Sequence, residues 1–345
     1  MSIRLPSLMA SATPRLAALR TTALRTTALG TTALTTAVLT AAALFAPAVT
    51  RAEPITRVDS TVDIPCRGAV QHRNASWHIP AGEPEGLVWL QHGFARTEAH
   101  VADLAARLAE AGHLVFTPGL PFLDPNGCTL QNLTGNRDFL GGVAALLAEA
   151  TDPAGALATS LRAALAEAGR TPTAPPAPMV FLGHSAGAEA VTYVAHRLSA
   201  EHPGAWTNLR GLILLDPVKS FVDNNTDAAL AALDHTELPI WTIAAAPSWC
   251  NSFGDGLTAV RTHLHRPFLG VRLPGGTHVD AEGASADVAG SLLCGTPRQT
   301  EVSTLATLAV GWAEDCLAGT TTARLYPDAA GRLDAAPGAQ VLQPI

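Results

Sequence analysis

The chain has 345 residues, 48% of them hydrophobic, with 22 basic and 29 acidic side chains and a formal net charge of −7. This length and apolar content support one large core, a domain of about 260 residues with appendages. The acidic balance excludes nucleic acid and anionic membranes as partners.

Residues 1–52 differ from everything after them. They hold Arg4, Arg15, Arg20, Arg25 and Arg51, no acid, and an Ala/Thr/Leu run ending in Ala42-Ala43-Leu44-Phe45. A basic start, an apolar stretch and small residues around Ala46-Pro47-Ala48 and Thr50-Arg51-Ala52 predict a cleaved export signal and a secreted or periplasmic protein. The alternatives are an uncleaved leader acting as a membrane anchor, or a transit peptide. The cleavage region lacks a Cys, which argues against a lipid-anchored lipoprotein. Removing five arginines from the 22 basic residues leaves 17 against 29 acidic ones, a formal charge of −12.

Beyond the leader, Thr61–Ile64 and Ser76–Ile79 read as two short strands separated by turn residues. Leu87–Leu90 is a continuous apolar run suited to a strand buried on both faces, and it leads into Gln91-His92-Gly93-Phe94. Thr97 caps a helix over Glu98–Ala111 with apolar positions at Val101, Leu104, Ala105 and Leu108. His113–Thr117 is the next strand. Helices follow at Asp138–Ala150 and Pro153–Ala168, then a proline-rich linker, Arg170–Pro178.

Met179–Leu182, then Gly183-His184-Ser185-Ala186-Gly187, then an Ala-rich segment to Glu201 reads as strand, sharp turn and helix. Two glycines allow a turn that larger side chains would block, and the residue between them is held in strain with its hydroxyl exposed. This is the nucleophile-elbow pattern G-x-S-x-G in its required context. Further strands are predicted at Leu212–Leu215, Pro239–Ala244 and Phe268–Leu273. Helices are predicted at Asp227–Leu233, Leu257–Leu264 and Glu301–Leu317. Alternating strands and helices predict an α/β fold, a mostly parallel sheet covered on both faces, with the ligand site at the carboxyl ends of the strands. The expected organisation is a leader at 1–52, a catalytic domain at 53–318 and a loosely held tail at 319–345, in which Ala323–Tyr326 offers an edge strand.

A serine hydroxyl is a weak nucleophile and needs a base to take its proton and an acid to orient that base. Ser185 is the candidate nucleophile. His278, after the last strand and a Gly-Gly turn, is the candidate base. His184 is expected to point into the packing of the elbow, and His92 to orient its loop. Asp216, directly after the Leu212–Leu215 strand, is the candidate acid, with Asp255 the alternative after the next strand and Asp223 and Asp280 behind it. A helix cap or turn role competes for Asp216. The backbone N–H groups of Phe94 and Ala186 are the expected oxyanion donors. Phe94, Trp249 and Phe122 are expected to line an apolar substrate pocket, with core packing the competing role.

All five cysteines lie beyond the leader, so one thiol stays free and the others can pair in an oxidising compartment. Cys294–Cys316, bracketing the last helix, is slightly favoured over Cys250–Cys294, with Cys66–Cys128 the other pair. None shows metal-ligand spacing, and neither a metal nor a cofactor is expected.

In this order, His92-Gly93-Phe94, Asn136-Arg137-Asp138-Phe139-Leu140, Gly183–Gly187, Leu215-Asp216-Pro217-Val218 and Gly276-Thr277-His278 resemble the chlorophyllase-like group of α/β-hydrolases. That group is similar to the dienelactone hydrolases and to bacterial lipases and polyester hydrolases. The resemblance spans about Gly86 to Ala318. It implies the α/β-hydrolase fold and a Ser185, His278, Asp216 triad, and it strengthens Asp216 over Asp255. Plant chlorophyllases resemble G-H-S-R-G-G at the elbow, where this chain has Ala186 and Ala188. Lys219-Ser220 also departs from the acidic or glycine-rich turn that follows their Asp-Pro-Val. The resemblance therefore implies ester hydrolysis without implying chlorophyll as substrate. The expected activity is an exported serine carboxylic-ester hydrolase acting on a small or lipid-like ester, with no obligate protein partner. An amidase or peptidase on the same fold and a non-catalytic binding protein are the alternatives.

Overall fold

The computed structural model describes residues 54–345. The predicted export signal lies outside the described residues. The chain opens on a hairpin, β1 (Thr56–Cys66) and β2 (Ala69–Ile79), paired antiparallel along their full length. Two short strands were expected. The strands are longer because polar residues such as Asp59, Asp63 and His72 face out while Val58, Val62 and Ile64 are buried, and the turn at Arg67-Gly68 has positive φ at both residues. Such a turn matches the twist of a hairpin.

Next come β3 (Leu87–Gln91), α1 (Ala102–Glu110) and β4 (Leu114–Pro118), with a 3₁₀ turn at Glu98–Val101 opening the helix. Then follow α2 (Arg137–Ala148), α3 (Ala156–Glu167), β5 (Met179–His184), α4 (Ala186–Glu201) and the short α5 (Pro203–Trp206). The second half contains β6 (Leu209–Leu215), α6 (Asn225–Leu233), β7 (Ile240–Ala244), α7 (Asp255–His263) and β8 (Gly270–Arg272). It closes with α8 (Val288–Cys294), α9 (Gln299–Ala318) and β9 (Gln340–Val341).

Among the described residues, nine strands form one sheet in the order β1-β2-β4-β3-β5-β6-β7-β8-β9. The strands from β4 to β8 run parallel, and the antiparallel members lie at the edges. Side chains along a strand alternate between faces. Leu87, Trp89, Phe181, Leu212 and Leu214 accordingly enter one core with α2, α3, α4, α6 and α7. Val88, Leu90, Val180, Leu182, Ile213 and Leu215 enter the other with α1 and α9. Both faces are covered, as a buried parallel sheet requires. No helix among the described residues is long and apolar enough to cross a membrane.

The C-terminal segment is not loosely held. Leu325, Leu333, Ala336 and Leu342 are buried, and the Trp312 indole on α9 donates to the Leu325 carbonyl at 3.1 Å. The edge strand is β9, antiparallel to β8, while Ala323–Leu325 forms a 3₁₀ turn.

The disulfides are Cys66–Cys128 and Cys250–Cys294, and Cys316 is free and buried. The favoured Cys294–Cys316 pairing is thus overturned. Cys316 lies on α9 beneath Gly211 of β6, where a Cβ would come 3.2 Å from its own Cβ. α9 therefore seats that thiol against the sheet, away from α8. Burial pushes the Cys316 thiol up to about 12. Non-reducing peptide mapping is expected to return the Cys66–Cys128 and Cys250–Cys294 pairs, with Cys316 alkylated only after denaturation. Recovery of a Cys294–Cys316 peptide would contradict this packing.

Candidate active site

Ser185 sits between β5 and α4 with φ 58 and ψ −123. A positive φ at a non-glycine residue is strain that only a tightly determined surrounding maintains. Gly183 and Gly187 explain how the turn closes. A Cβ on Gly183 would run into the Gly187 backbone, and one on Gly187 would lie 2.5 Å from the His92 carbonyl oxygen. The turn is further held by the Ser185 N–H donating to the Leu215 carbonyl at 3.0 Å, while the Ser185 carbonyl accepts from Val218 at 3.2 Å.

The ends of β6 and β8 bring the other two candidates to this hydroxyl. Ser185 Oγ lies 3.0 Å from His278 Nε2, and His278 Nδ1–H donates to Asp216 Oδ2 at 2.6 Å. All three side chains are buried. Asp216 also has positive φ, 42, which turns its carboxylate back across the strand ends. Its Oδ1 accepts from the Ala245 N–H at 2.9 Å, and the Asn251 amide donates to both oxygens at 3.2 and 3.1 Å. Burial alone would push the Asp216 carboxyl up. The His278 hydrogen bond and charge and the Ala245 and Asn251 donors outweigh it and hold the group below the usual carboxylate range.

Asp255 is not brought to His278. It begins α7, accepts from the Gly256 N–H at 2.6 Å and the Lys219 N–H at 3.5 Å, and burial pushes its carboxyl up. Asp280 closes a capping box with Thr277 under the His278 turn, and Asp223 pairs with Arg137.

His184 was expected to point into the elbow packing. Its buried ring lies 4.8 Å from the His278 ring, and Nε2–H donates to the His278 carbonyl at 2.8 Å. It therefore fixes the backbone that carries the imidazole. Burial drives its pKa down to about 3, so it stays neutral. His92 is likewise buried, with Nδ1–H donating to the Gly93 carbonyl at 2.8 Å and its pKa lowered by burial to about 4.

Gly93 abuts the nucleophile candidate, since a Cβ there would fall 2.9 Å from Ser185 Cβ and 3.3 Å from Oγ. Phe94 follows directly, and Ala186 opens α4, so both expected backbone donors belong to segments bordering the Ser185 hydroxyl. Arg96 ties the first of these segments to the base: its guanidinium grips the buried Glu282 carboxylate through two nitrogens, just past the His278 turn, and reaches Asp287 at 3.0 Å. Paired donors of this geometry are among the stronger hydrogen bonds.

Phe94 and Phe122 meet edge to face at 5.4 Å, and Trp249 anchors its indole N–H on the Leu293 carbonyl at 3.1 Å. All three rings are exposed at the mouth instead of being core. The cavity bordered by Asp216 and His278 holds about 10 Å³, scarcely room for one water, while Phe122 lines a larger one of about 430 Å³ with Arg96 and Leu123. Among the described residues no group of three or more His, Cys, Asp or Glu side chains is arranged to hold a metal ion.

Sequence reasoning missed Asn251, the clamping role of His184 and the Arg96–Glu282 pair. Only Asn251 had a local signal: Ser248-Trp249-Cys250-Asn251 has the spacing of a capping box, in which Asn251 Oδ1 accepts from the Ser248 N–H at 2.7 Å.

The strand order and the turn after β5 make this an α/β-hydrolase fold, with a serine, an aspartate and a histidine in chain order meeting at the carboxyl edge of its sheet. No protein-family model and no curated protein sequence matches the chain. Among solved structures it is similar to a dienelactone hydrolase from Anabaena variabilis, at 17% identity over 74% of this chain and 96% of that one, with a TM-score of 0.43. It is also similar to an esterase from Pyrobaculum calidifontis, at 15% identity over 77% and 86% with a TM-score of 0.49. The esterase domain of a Rhodothermus marinus protein aligns at 13% identity over 76% and 100%, with a TM-score of 0.45. Likeness at this level says nothing about activity; the fold class rests on the chain's own topology.

Proposed function

We propose that this chain is an exported serine carboxylic-ester hydrolase working through an acyl-enzyme. The observation that carries the proposal is the continuous hydrogen-bonded line from a strained, glycine-flanked Ser185 through His278 to a charged, buried Asp216. In this reading Ser185 Oγ attacks the ester carbonyl as its proton passes to His278 Nε2. Asp216 holds the imidazole in the tautomer with Nδ1–H and stabilises the imidazolium that forms. The Phe94 and Ala186 N–H groups receive the oxyanion, a contribution of about 10²–10³-fold in rate per donor. The tetrahedral adduct collapses as His278 returns the proton to the departing alcohol. Water, activated by the same imidazole, then attacks the acyl-serine and releases the acid.

Export belongs to the same proposal. Two disulfides suit an oxidising compartment, and the exported chain is expected to begin between Val49 and Glu53, as N-terminal sequencing would show. A panel of short and long acyl esters, a triglyceride and a chlorophyll tests the chemistry. Failure to turn over any ester by folded protein would overturn the proposal.

A further inference from the structure

Among the described residues, twelve large apolar side chains stand exposed, and ten of them lie on segments that follow the carboxyl ends of strands, three of these on α8. Only Val70 in the first hairpin and Ile345 at the C-terminus lie elsewhere. Soluble proteins scatter such residues singly; concentrating them on one edge marks an interaction surface. They come from five separate segments, following β3, β4, β6, β7 and β8, at the edge of the sheet where Ser185 lies. Phe94 follows the glycine that touches Ser185, and Phe122 packs on Phe94. Phe221 follows Ser220, whose N–H and hydroxyl are held by the buried Glu189 carboxylate of α4. Trp249 stands two residues from Asn251.

These side chains are presented on rigid supports. Cys250–Cys294 staples the Trp249 loop to α8, which carries Leu292, 80% exposed. Phe253 lies within three successive residues, Ser252, Phe253 and Gly254, of left-handed backbone, and its ring is nevertheless left in water. Three cations at this edge are engaged by carboxylates, Arg96 by Glu282 and Asp287, Lys219 by Asp227, and Arg137 by Asp223, while Arg73, beside Phe122 and Leu123, donates to the Gly119 carbonyl. The exposed side chains of the collar are thus largely apolar, and Arg96, Lys219 and Arg137 add no unpaired positive charge to it.

We propose that this collar docks the protein on the surface of an uncharged lipid-ester droplet, from which the ester chain is drawn to Ser185. The proposal rests on Ser185 being the reacting group. A protein partner or a second copy seated on the same side chains would seal Ser185, whereas a lipid surface covers them and delivers the substrate. An anionic membrane is disfavoured by the acidic chain and the neutralised cations.

Flotation of the full chain carrying Ser185→Ala with triolein droplets tests docking without hydrolysis. The same chain carrying Phe221→Ser and Leu292→Ser in addition isolates the collar, because any contribution of the leader is common to both. Both positions are exposed, so neither exchange removes core packing, and circular dichroism confirms the fold. The double exchange is expected to lower the droplet-bound fraction relative to free protein at least tenfold. Equal flotation of the two chains, no flotation of either, or a stable dimer that the double exchange dissociates would each overturn the proposal. Hydrolysis of a soluble short-chain ester by the chain with Ser185 intact is read separately, and its absence would sink the esterase reading while leaving the docking result standing.

Discussion

Ser185→Ala is expected to abolish covalent labelling by a fluorophosphonate and to lower ester turnover about 10⁴- to 10⁶-fold. The exchange removes one buried hydroxyl and no packing, so the protein should remain folded with its thermal midpoint nearly unchanged. His278→Ala is expected to cost nearly as much, because the hydroxyl 3.0 Å from Nε2 then has no acceptor for its proton. The double exchange should cost little more than either alone, since the two groups act as a unit and the residual rate comes from the oxyanion donors and binding. Steady-state kinetics on one soluble ester checks all three. Turnover of Ser185→Ala within tenfold of the unaltered protein would assign the chemistry to another group.

Asp216→Asn is expected to leave the fold intact and lower turnover about 10²- to 10⁴-fold. The amide can place its N–H₂ against His278 Nδ1, which then accepts a hydrogen bond and forces the imidazole proton onto Nε2, where it can no longer take the Ser185 proton. Asp255→Asn, made alongside, is expected to cost less than tenfold, because that carboxylate holds the Lys219 and Gly256 N–H groups and does not touch His278. Asn251→Ala should fall between them, at roughly 10- to 100-fold, the range for one lost hydrogen bond to a buried charge. Greater damage from Asp255→Asn than from Asp216→Asn, with both proteins folded by circular dichroism, would move the acid to the end of β7 and leave Ser185 and His278 in place.

The elements nearest the site were the most legible in the sequence. Met179–Leu182 followed by Gly183, Ser185 and Gly187 specifies a strand, a forced turn and a helix within a few residues, and each step depends on local sterics. The apolar runs at Leu87–Leu90 and Leu212–Leu215 likewise mark strands buried on both faces, since an uninterrupted run has no solvent side. The hairpin and the C-terminal segment were harder to read. In β1 and β2 the polar outward residues break up the apolar signal, and Leu325, Leu333 and Leu342 are too widely spaced to show a period although all three are buried.

What the sequence by itself determined is the fold class, the position of Ser185 on its turn, and an order of serine, aspartate and histidine consistent with one site. What only the tertiary structure decided is which groups meet. Asp216 and Asp255 each follow a strand and are chemically equivalent in one dimension; the carboxylate that reaches His278, 62 residues further on, is selected by β6 lying beside β5 and by the turn at Asp216. The same holds for Asn251 on Asp216, for Arg96 on Glu282 and for Cys250 on Cys294. Each contact joins residues far apart in the chain, so its geometry is set by how the sheet and helices pack, and no local propensity encodes it.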